Sequence, residues 1–309
     1  MGSYFSQLVH EAILSDGEAS LKLHGVKLSK KEASTYAAKL VEHLGSKLHY
    51  LSIDRAKLKN LPVEICGGLI VLKHLQLAGN QLTDLPAAFS QLKALTTVIL
   101  AENELARVPA PLMQCSHLRT LDLSKNGLRA IPDSFGDTLP SLTTLRLQSN
   151  RLEDSTTWNG LIKLSKLSTL DLSSNQLKQL PTTVSQLGAL RDFKLSNNEL
   201  SSIDPLVKMP RLRFLELSRL QIDPSAFASP QTSGTGSGAS STASGSSASS
   251  SSATSSHVQG GQVLVGSAVR VLSALHRLES LDLSHNKIVN LAPELLTTLS
   301  RLVSLKLHN

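Results

Sequence analysis

The sequence predicts an α/β solenoid built on one concave parallel sheet, and two observations carry that prediction. Leucine accounts for 60 of 309 residues and aromatic residues for only 3%, so the core is nearly all Leu where a doubly wound or sandwich domain would mix in Val, Ile and Phe. In addition, the pattern L-x-x-L-x-L-x-x-N-x-L falls into register at Leu48, Leu72, Leu95, Leu118, Leu142, Leu167, Leu190, Leu212, Leu278 and Leu302. Successive starts lie 22 to 25 residues apart, except for one interval of 66. Such a period marks units that stack on their neighbours.

Within each unit the stretch L-x-L alternates apolar and polar residues, so it forms a strand that buries one face and exposes the other. Stacked copies then pair into one parallel sheet. The Asn column (Asn80, Asn103, Asn126, Asn150, Asn175, Asn198, Asn286, Asn309) falls where the chain turns out of the strand. Ala56 and Leu220 break the column, and irregular turns are expected there. Several units continue as LPxxF or LPxxV: Leu85-Pro86 to Phe89, Ile131-Pro132 to Phe135, and Leu180-Pro181 to Val184. These prolines lack an N–H to donate and mark the start of the convex return.

Over residues 18–227 and 263–309 these motifs resemble the leucine-rich repeat superfamily, and the LPxx[FV] extension is similar to its intracellular, Ras-associated class. The resemblance implies a right-handed horseshoe with a protein-binding role. It also implies that the Asn amides form a ladder that satisfies the backbone groups of the turns, which would otherwise be buried without partners.

The elements follow in order. Residues 1–17 are read as a cap helix, because Phe5, Leu8, Val9, Ala12 and Ile13 recur at helical spacing and Gly17 ends the run. A degenerate first repeat follows, with its strand at Leu21 to Leu23. Ser29 and Glu32 make a capping-box signature ahead of Ala33, Ala37, Leu40 and Leu44, and Gly45 terminates that helix. Repeats then run to residue 227. Residues 228–262 form a Ser/Gly/Ala-rich insertion, and from Pro224 to Val269 no residue is charged. Such a tract cannot bury enough apolar surface to offset its ordering entropy, so it is expected to be disordered and to leave the concave sheet clear. Repeats resume over 263–309 and stop midway through a unit. No cap covers Leu302, Leu305 and Leu307, and truncation or a covering partner is the expectation.

Composition narrows the function. No apolar run reaches the roughly 18 residues of a membrane span, and no basic-then-hydrophobic leader opens the chain, so a cytoplasmic protein is expected. Cys66 and Cys115 are too few for a disulfide framework and lack zinc-ligand spacing. The formal charge of +7 is spread out, with nine Lys/Arg against six Asp/Glu in residues 1–60. That dilution and the scarcity of aromatic side chains argue against nucleic acid. Gly234-Thr235-Gly236-Ser237-Gly238 is glycine-rich but follows no strand, and neither HExxH nor GxSxG occurs. His49 and His74 fall on neighbouring strands without an acidic or Cys partner. No catalytic residue, cofactor or metal is therefore assigned, and the chain is read as a non-enzyme.

The register also exposes a candidate surface. The residue between the two strand leucines points outward, giving the column Ser52, Gln76, Ile99, Asp122, Arg146, Asp171, Lys194, Glu216, Asp282 and Lys306. From Asp122 to Glu216 the charges alternate. Beside it run Thr97, Thr120, Thr144 and Thr169, flanked by Tyr50 and His74 at one end and by Asp192 and Phe214 at the other. The predicted partner-binding residues are Tyr50, His74, Gln76, Ile99, Asp122, Arg146, Asp171, Lys194, Phe214, Glu216 and Arg219. Tyr50, Arg146, Phe214 and Arg219 are the expected anchors, because aromatic and Arg side chains carry most interface energy. Finally, Met1-Gly2-Ser3-Tyr4-Phe5-Ser6 fits the N-myristoylation pattern with Gly2 as acceptor. One acyl chain, aided by Lys27, Lys30 and Lys31, would give reversible membrane association. The expected function is a scaffold or adaptor in intracellular signalling. The alternative is a regulatory subunit controlling a phosphatase, a GTPase pathway or a ubiquitin ligase, as the resemblance implies.

Overall fold

The computed structural model describes residues 19–25, 30–220, 263–264, 267–286, 288, 290–291 and 293–308. The strands are β1 (Ala19–His24), β2 (Leu48–Asp54), β3 (His74–Gln76), β4 (Thr97–Ile99), β5 (Thr120–Asp122), β6 (Thr144–Arg146), β7 (Thr169–Asp171), β8 (Asp192–Lys194), β9 (Phe214–Glu216), β10 (Val263–Leu264), β11 (Ser280–Asp282), β12 (Asn290–Leu291) and β13 (Ser304–Lys306). Eleven of them form one open sheet in the order β1 to β9, β11, β13, and every adjacent pair is parallel. β10 and β12 pair separately as a small parallel ribbon.

Each short strand buries its middle residue and turns its flanks outward. Leu75, Val98, Leu121, Leu145, Leu170, Phe193, Leu215 and Leu281 are all essentially inaccessible, and with the leucines of the returns they make one continuous core. No unit could bury these residues alone, so the core exists only through stacking. At the front, the helix α1 (Lys30–Leu44) buries Ala33, Ala37, Leu40 and Leu44, as its spacing predicts. Gly45 follows, its N–H donating to the Val41 carbonyl at 2.9 Å. A Cβ there would lie 2.5 Å from that oxygen. The predicted first strand is β1, extended to six residues. The cap helix at 1–17, Ser29 of the capping box, the insertion at 228–262 and Asn309 lie outside the described residues.

The Asn column does what the resemblance implies. Asn103 Oδ1 accepts the Leu82 N–H at 3.0 Å, while its Nδ2 donates to the Leu77 and Leu100 carbonyls, both at 3.0 Å. Asn150, Asn175 and Asn198 repeat the arrangement one unit further on each time. The residue before each Asn has a left-handed φ, from Gly79 at 68° through Glu102, Lys125, Ser149, Ser174 and Asn197 to His285 at 58°. Of the two turns expected to be irregular, the one at Ala56 carries a second left-handed residue, Lys57. At Leu220, Arg219 has φ 53° like its counterparts, but the N–H that reaches the next amide, Asn286 Oδ1 at 2.7 Å, belongs to the Asn position itself, as it does at Ala56. The regular turns use the residue two further on, as Leu82 does with Asn103.

That last bond joins residues 66 apart, and the sheet crosses the same gap. β9 pairs directly with β11, Phe214 opposite Ser280 and Glu216 opposite Asp282. The repeat ladder therefore passes from one side of the insertion to the other without losing register.

On the convex side Pro86, Pro132 and Pro181 each open a return, their carbonyls accepting the N–H of Phe89, Phe135 and Val184 at 2.9, 2.9 and 3.0 Å. Among the described residues five returns are helical: α2 (Val63–Gly68), α3 (Phe135–Thr138), α4 (Asp154–Leu161), α5 (Ser267–Ser273) and α6 (Pro293–Thr298). The returns that carry α3 and α4 meet at backbone contact, since a Cβ on Gly160 would fall on the Pro132 carbonyl oxygen, and one on Gly136 would lie 2.7 Å from the Gly160 oxygen. Only glycine permits that approach.

Candidate functional site

The strand register places the predicted column in a single row, Ser52 beside Gln76 and so on through Ile99, Asp122, Arg146, Asp171, Lys194, Glu216, Asp282 and Lys306. A second row on the same face runs Tyr50, His74, Thr97, Thr120, Thr144, Thr169, Asp192, Phe214, Ser280 and Ser304. Two placements differ from expectation. Ser52 is buried, its hydroxyl donating to Asp54 Oδ2 at 2.8 Å. Arg219 is not on the sheet, because its left-handed φ puts it in the turn beyond β9. It is exposed there, at the C-terminal margin of the strands.

At the front of the face Tyr50 Oη donates to Gln76 Oε1 at 2.9 Å. The Lys22 ammonium lies 5.4 Å from the Tyr50 ring centroid, and the His74 ring is 6.2 Å away. Burial, helped by the Asp54 charge, raises the Tyr50 hydroxyl above its usual pKa, against a lowering bond from Ser52. The phenol therefore stays a neutral donor.

Farther along, the charges do not all pair. Lys194 meets Glu216 at 2.6 Å, and Lys306 approaches Asp282 at 3.7 Å. Asp122 and Asp171 instead turn an oxygen back to the N–H of Ser124 and Ser173 at 2.9 and 3.0 Å, and Asp282, while facing Lys306, accepts the Ser284 N–H at 3.0 Å. The recurring D-L-S triplet is thus a local turn device as well as a surface charge. Arg146 is exposed and carries no ion pair or side-chain hydrogen bond among the described residues. Asp192, in the neighbouring row, is held above the usual carboxylate range by burial. Lys194 and Arg146 oppose that rise, while Glu216 and Asp171 add to it. Burial works to lower Lys194, but the hydrogen bond and charge of Glu216, with Asp192 and Asp171, outweigh it and raise the ammonium. From β5 to β9 the two rows present Asp122, Asp171, Asp192 and Glu216 against Arg146 and Lys194, so this stretch leans acidic.

Phe214 is 41% exposed on this face, with the Arg213 guanidinium 5.8 Å from its ring centroid. An accessible aromatic among polar neighbours is an anchor in waiting. Arg213 was not singled out by sequence. Its fork grips Glu279 through Nε and Nη2, both at 2.8 Å, across the 66-residue gap. Only the pairing of β9 with β11 brings the two together. Among the described residues no three His, Cys, Asp or Glu side chains converge on a point that could hold a metal. His49 Nδ1 lies 2.8 Å from the Lys47 carbonyl oxygen, and the His74 ring faces that of Tyr50. No helix among the described residues is long and apolar enough to cross a membrane.

Comparison with known proteins agrees with this geometry. A leucine rich repeat model matches residues 46–105, 116–177 and 165–222, and a second model of the same repeat matches 277–299, on the far side of the insertion. Among solved structures, the chain is similar to an internalin from Listeria monocytogenes at 17% identity, over 99% of this chain and 87% of that one, with a TM-score of 0.53. A leucine-rich repeat protein of Leptospira interrogans aligns at 22% identity, over 98% of this chain and 86% of that one, with a TM-score of 0.43. At 17% identity the first likeness is one of fold. No curated protein matches the chain.

Proposed function

This chain belongs to the leucine-rich repeat family, and we propose that it is a non-catalytic scaffold or adaptor whose concave face holds a protein partner. Proteins of this family generally act in protein–protein interaction. The observation that carries the reading is the double row of side chains, outward except at Ser52, in register over ten strands from β2 to β13 and polar along most of its length. Such a face selects by charge matching. Its acidic lean between β5 and β9 favours a partner that presents basic side chains, with Tyr50, Arg146 and Phe214 as anchors.

Intracellular signalling is the setting we favour, supported by the LPxx[FV] returns. The Met-Gly opening ahead of a degenerate first repeat supports a likeness to leucine-rich repeat-containing protein 57. The opening Met1-Gly2-Ser3-Tyr4-Phe5-Ser6 supports a myristoyl group on Gly2 and reversible attachment to a membrane. In the alternative role, as a regulatory subunit for a phosphatase, a GTPase pathway or a ubiquitin ligase, the captured enzyme would change rate in proportion to bound chain. The test is partner capture by wild type and by the Arg146→Ala/Phe214→Ala double variant. Capture should fall at least tenfold with folding intact, and equal capture would remove the concave face as the binding site. Flotation of wild type and Gly2→Ala with vesicles tests the tether separately.

A further inference from the structure

Resting on the reading that a protein partner occupies the concave face, we infer that an arginine-lined cleft at the edge of that face anchors an extended acidic segment of the same partner. The open cleft, about 560 Å³, lies at the entrance to β8, β9, β11 and β13 and is lined by Arg191, Arg211, Arg213, Arg277, Glu279 and Arg301. Five guanidinium groups stand there against one carboxylate, so more than half of the chain's formal charge of +7 gathers at one spot. Glu279 is already engaged by Arg213 through two bonds of 2.8 Å, and Arg211 donates to the Gly188 carbonyl at 3.2 Å. Arg191, Arg277 and Arg301 are exposed, and no anionic side chain among the described residues pairs with them.

Like charges crowded without counter-charges repel one another, and an anion that enters the cleft relieves that repulsion. All five cations are Arg and none is Lys. The planar fork is suited to bidentate capture of carboxylate or phosphate groups. Strands lie roughly 4.8 Å apart, so four of them spread the arginines over about 14 Å, the length of about four or five extended residues. That span exceeds a single phosphate. The cleft is open and polar, unlike the enclosed and mostly apolar sites that bury small ligands. No aromatic side chain lines it to stack a base, which separates it from a single-strand nucleic-acid groove. It is also continuous with the concave rows, since Arg191 and Arg213 directly precede Asp192 and Phe214. A partner that lays basic side chains on the acidic strip and an acidic segment in the cleft would be oriented in one sense only.

The test uses the full chain, a fluorescein-labelled peptide of alternating Glu and Ser, and fluorescence anisotropy at physiological ionic strength. Saturable binding by wild type is expected, with no binding of the matching Gln/Ser peptide. The exposed triple variant Arg191→Gln/Arg277→Gln/Arg301→Gln should keep the wild-type circular dichroism and urea midpoint while binding the Glu/Ser peptide at least roughly tenfold more weakly. Absence of saturable binding, or equal binding by the triple variant, overturns the proposal. So does displacement of the peptide by pyrophosphate or oligothymidylate at lower concentration than by unlabelled peptide, which would assign the cleft to free phosphate or to nucleic acid. The Arg146→Ala/Phe214→Ala variant should bind the peptide as wild type does. If partner capture survives that double substitution while the triple variant still loses the peptide, the concave reading fails and the cleft stands.

Discussion

Replacing Asn150 by Ala should cost this protein about 3 kcal/mol, and the figure follows from three bonds. The amide oxygen accepts the Leu128 N–H at 3.0 Å, and Nδ2 donates to the Leu123 carbonyl at 3.0 Å and the Leu147 carbonyl at 2.9 Å. The two carbonyls are insured, because Asn126 Nδ2 also reaches Leu123 O at 3.1 Å and Asn175 Nδ2 reaches Leu147 O at 3.0 Å. Each lost donation therefore counts as an ordinary hydrogen bond, about 0.5–1.5 kcal/mol. The Leu128 N–H has no substitute in this turn, and an orphaned buried donor costs about 1–3 kcal/mol. The total lies between about 2 and 6 kcal/mol, or a melting shift of roughly 6–12 °C for 3 kcal/mol in a domain of this size. Urea unfolding of the full chain measures it, as a lower midpoint at unchanged slope. Arg146→Ala, exposed on the concave face, is the control and should move stability by less than about 0.5 kcal/mol. An Asn150→Ala loss no larger than that of the control would refute the ladder as a source of stability.

Three further outcomes follow from other contacts. Asn286→Ala removes bonds to the Leu220 N–H and the Leu217 carbonyl that bridge the insertion, so hydrogen exchange should accelerate in β11 and β13 while β4 to β7 keep their protection; uniform loss would contradict a local hinge between the blocks. Gly160→Ala drives a methyl onto the Pro132 carbonyl and should destabilise by about 1–3 kcal/mol, against near-neutral behaviour for Gly188→Ala, whose nearest neighbour would lie 3.9 Å away. Burial, with smaller contributions from the charges of Cys115 and Glu64, pushes the Cys66 thiol up to about 12, and burial against an opposing Lys93 charge pushes Cys115 to about 11. Because the thiolate is the reactive form, iodoacetamide at pH 8 should label both far more slowly in the native protein than in urea, and equal rates would exclude their burial. The sign of the linkage is that of a raised folded value: the contribution is intact below the unfolded thiol value of about 8.5 and is lost as pH climbs from there towards 11 and 12.

Much of the fold was legible because its determinants are local. Leu75, Leu121 and Leu170 announce a buried strand centre by alternating with polar neighbours, and the period of 22 to 25 residues then stacks one centre on the next. The same spacing sets Gln76, Asp122, Arg146 and Glu216 in one row, and the strand pairing keeps them there. It misplaced Arg219, which continues the strand in a linear reading but is turned away by a left-handed backbone. It marked Ala56 and Leu220 as breaks in the column, and at both the residue standing in for Asn gives its own N–H to the next unit's amide, Asn80 and Asn286. The strand assignment of Ser52 was right and its exposure was wrong, since Asp54 holds the hydroxyl inside a longer strand.

Sequence by itself determined the repeat, its core and the identity of the outward rows, because each depends on residues one or two positions apart. Tertiary structure decided the rest, because the remaining relations join residues that only stacking brings near. The charges alternate in sequence, yet Lys194 pairs with Glu216 while the aspartates bond to their own turns and Arg146 stays open. The positive charge looks dilute when counted along the chain, yet the repeat collects five arginines from the entrances of four strands into one cleft, two of those strands lying beyond the insertion. Pairing across that gap follows from the hydrogen-bonding demand of a strand edge and from the apolar face that each unit must cover, whatever length of chain lies between.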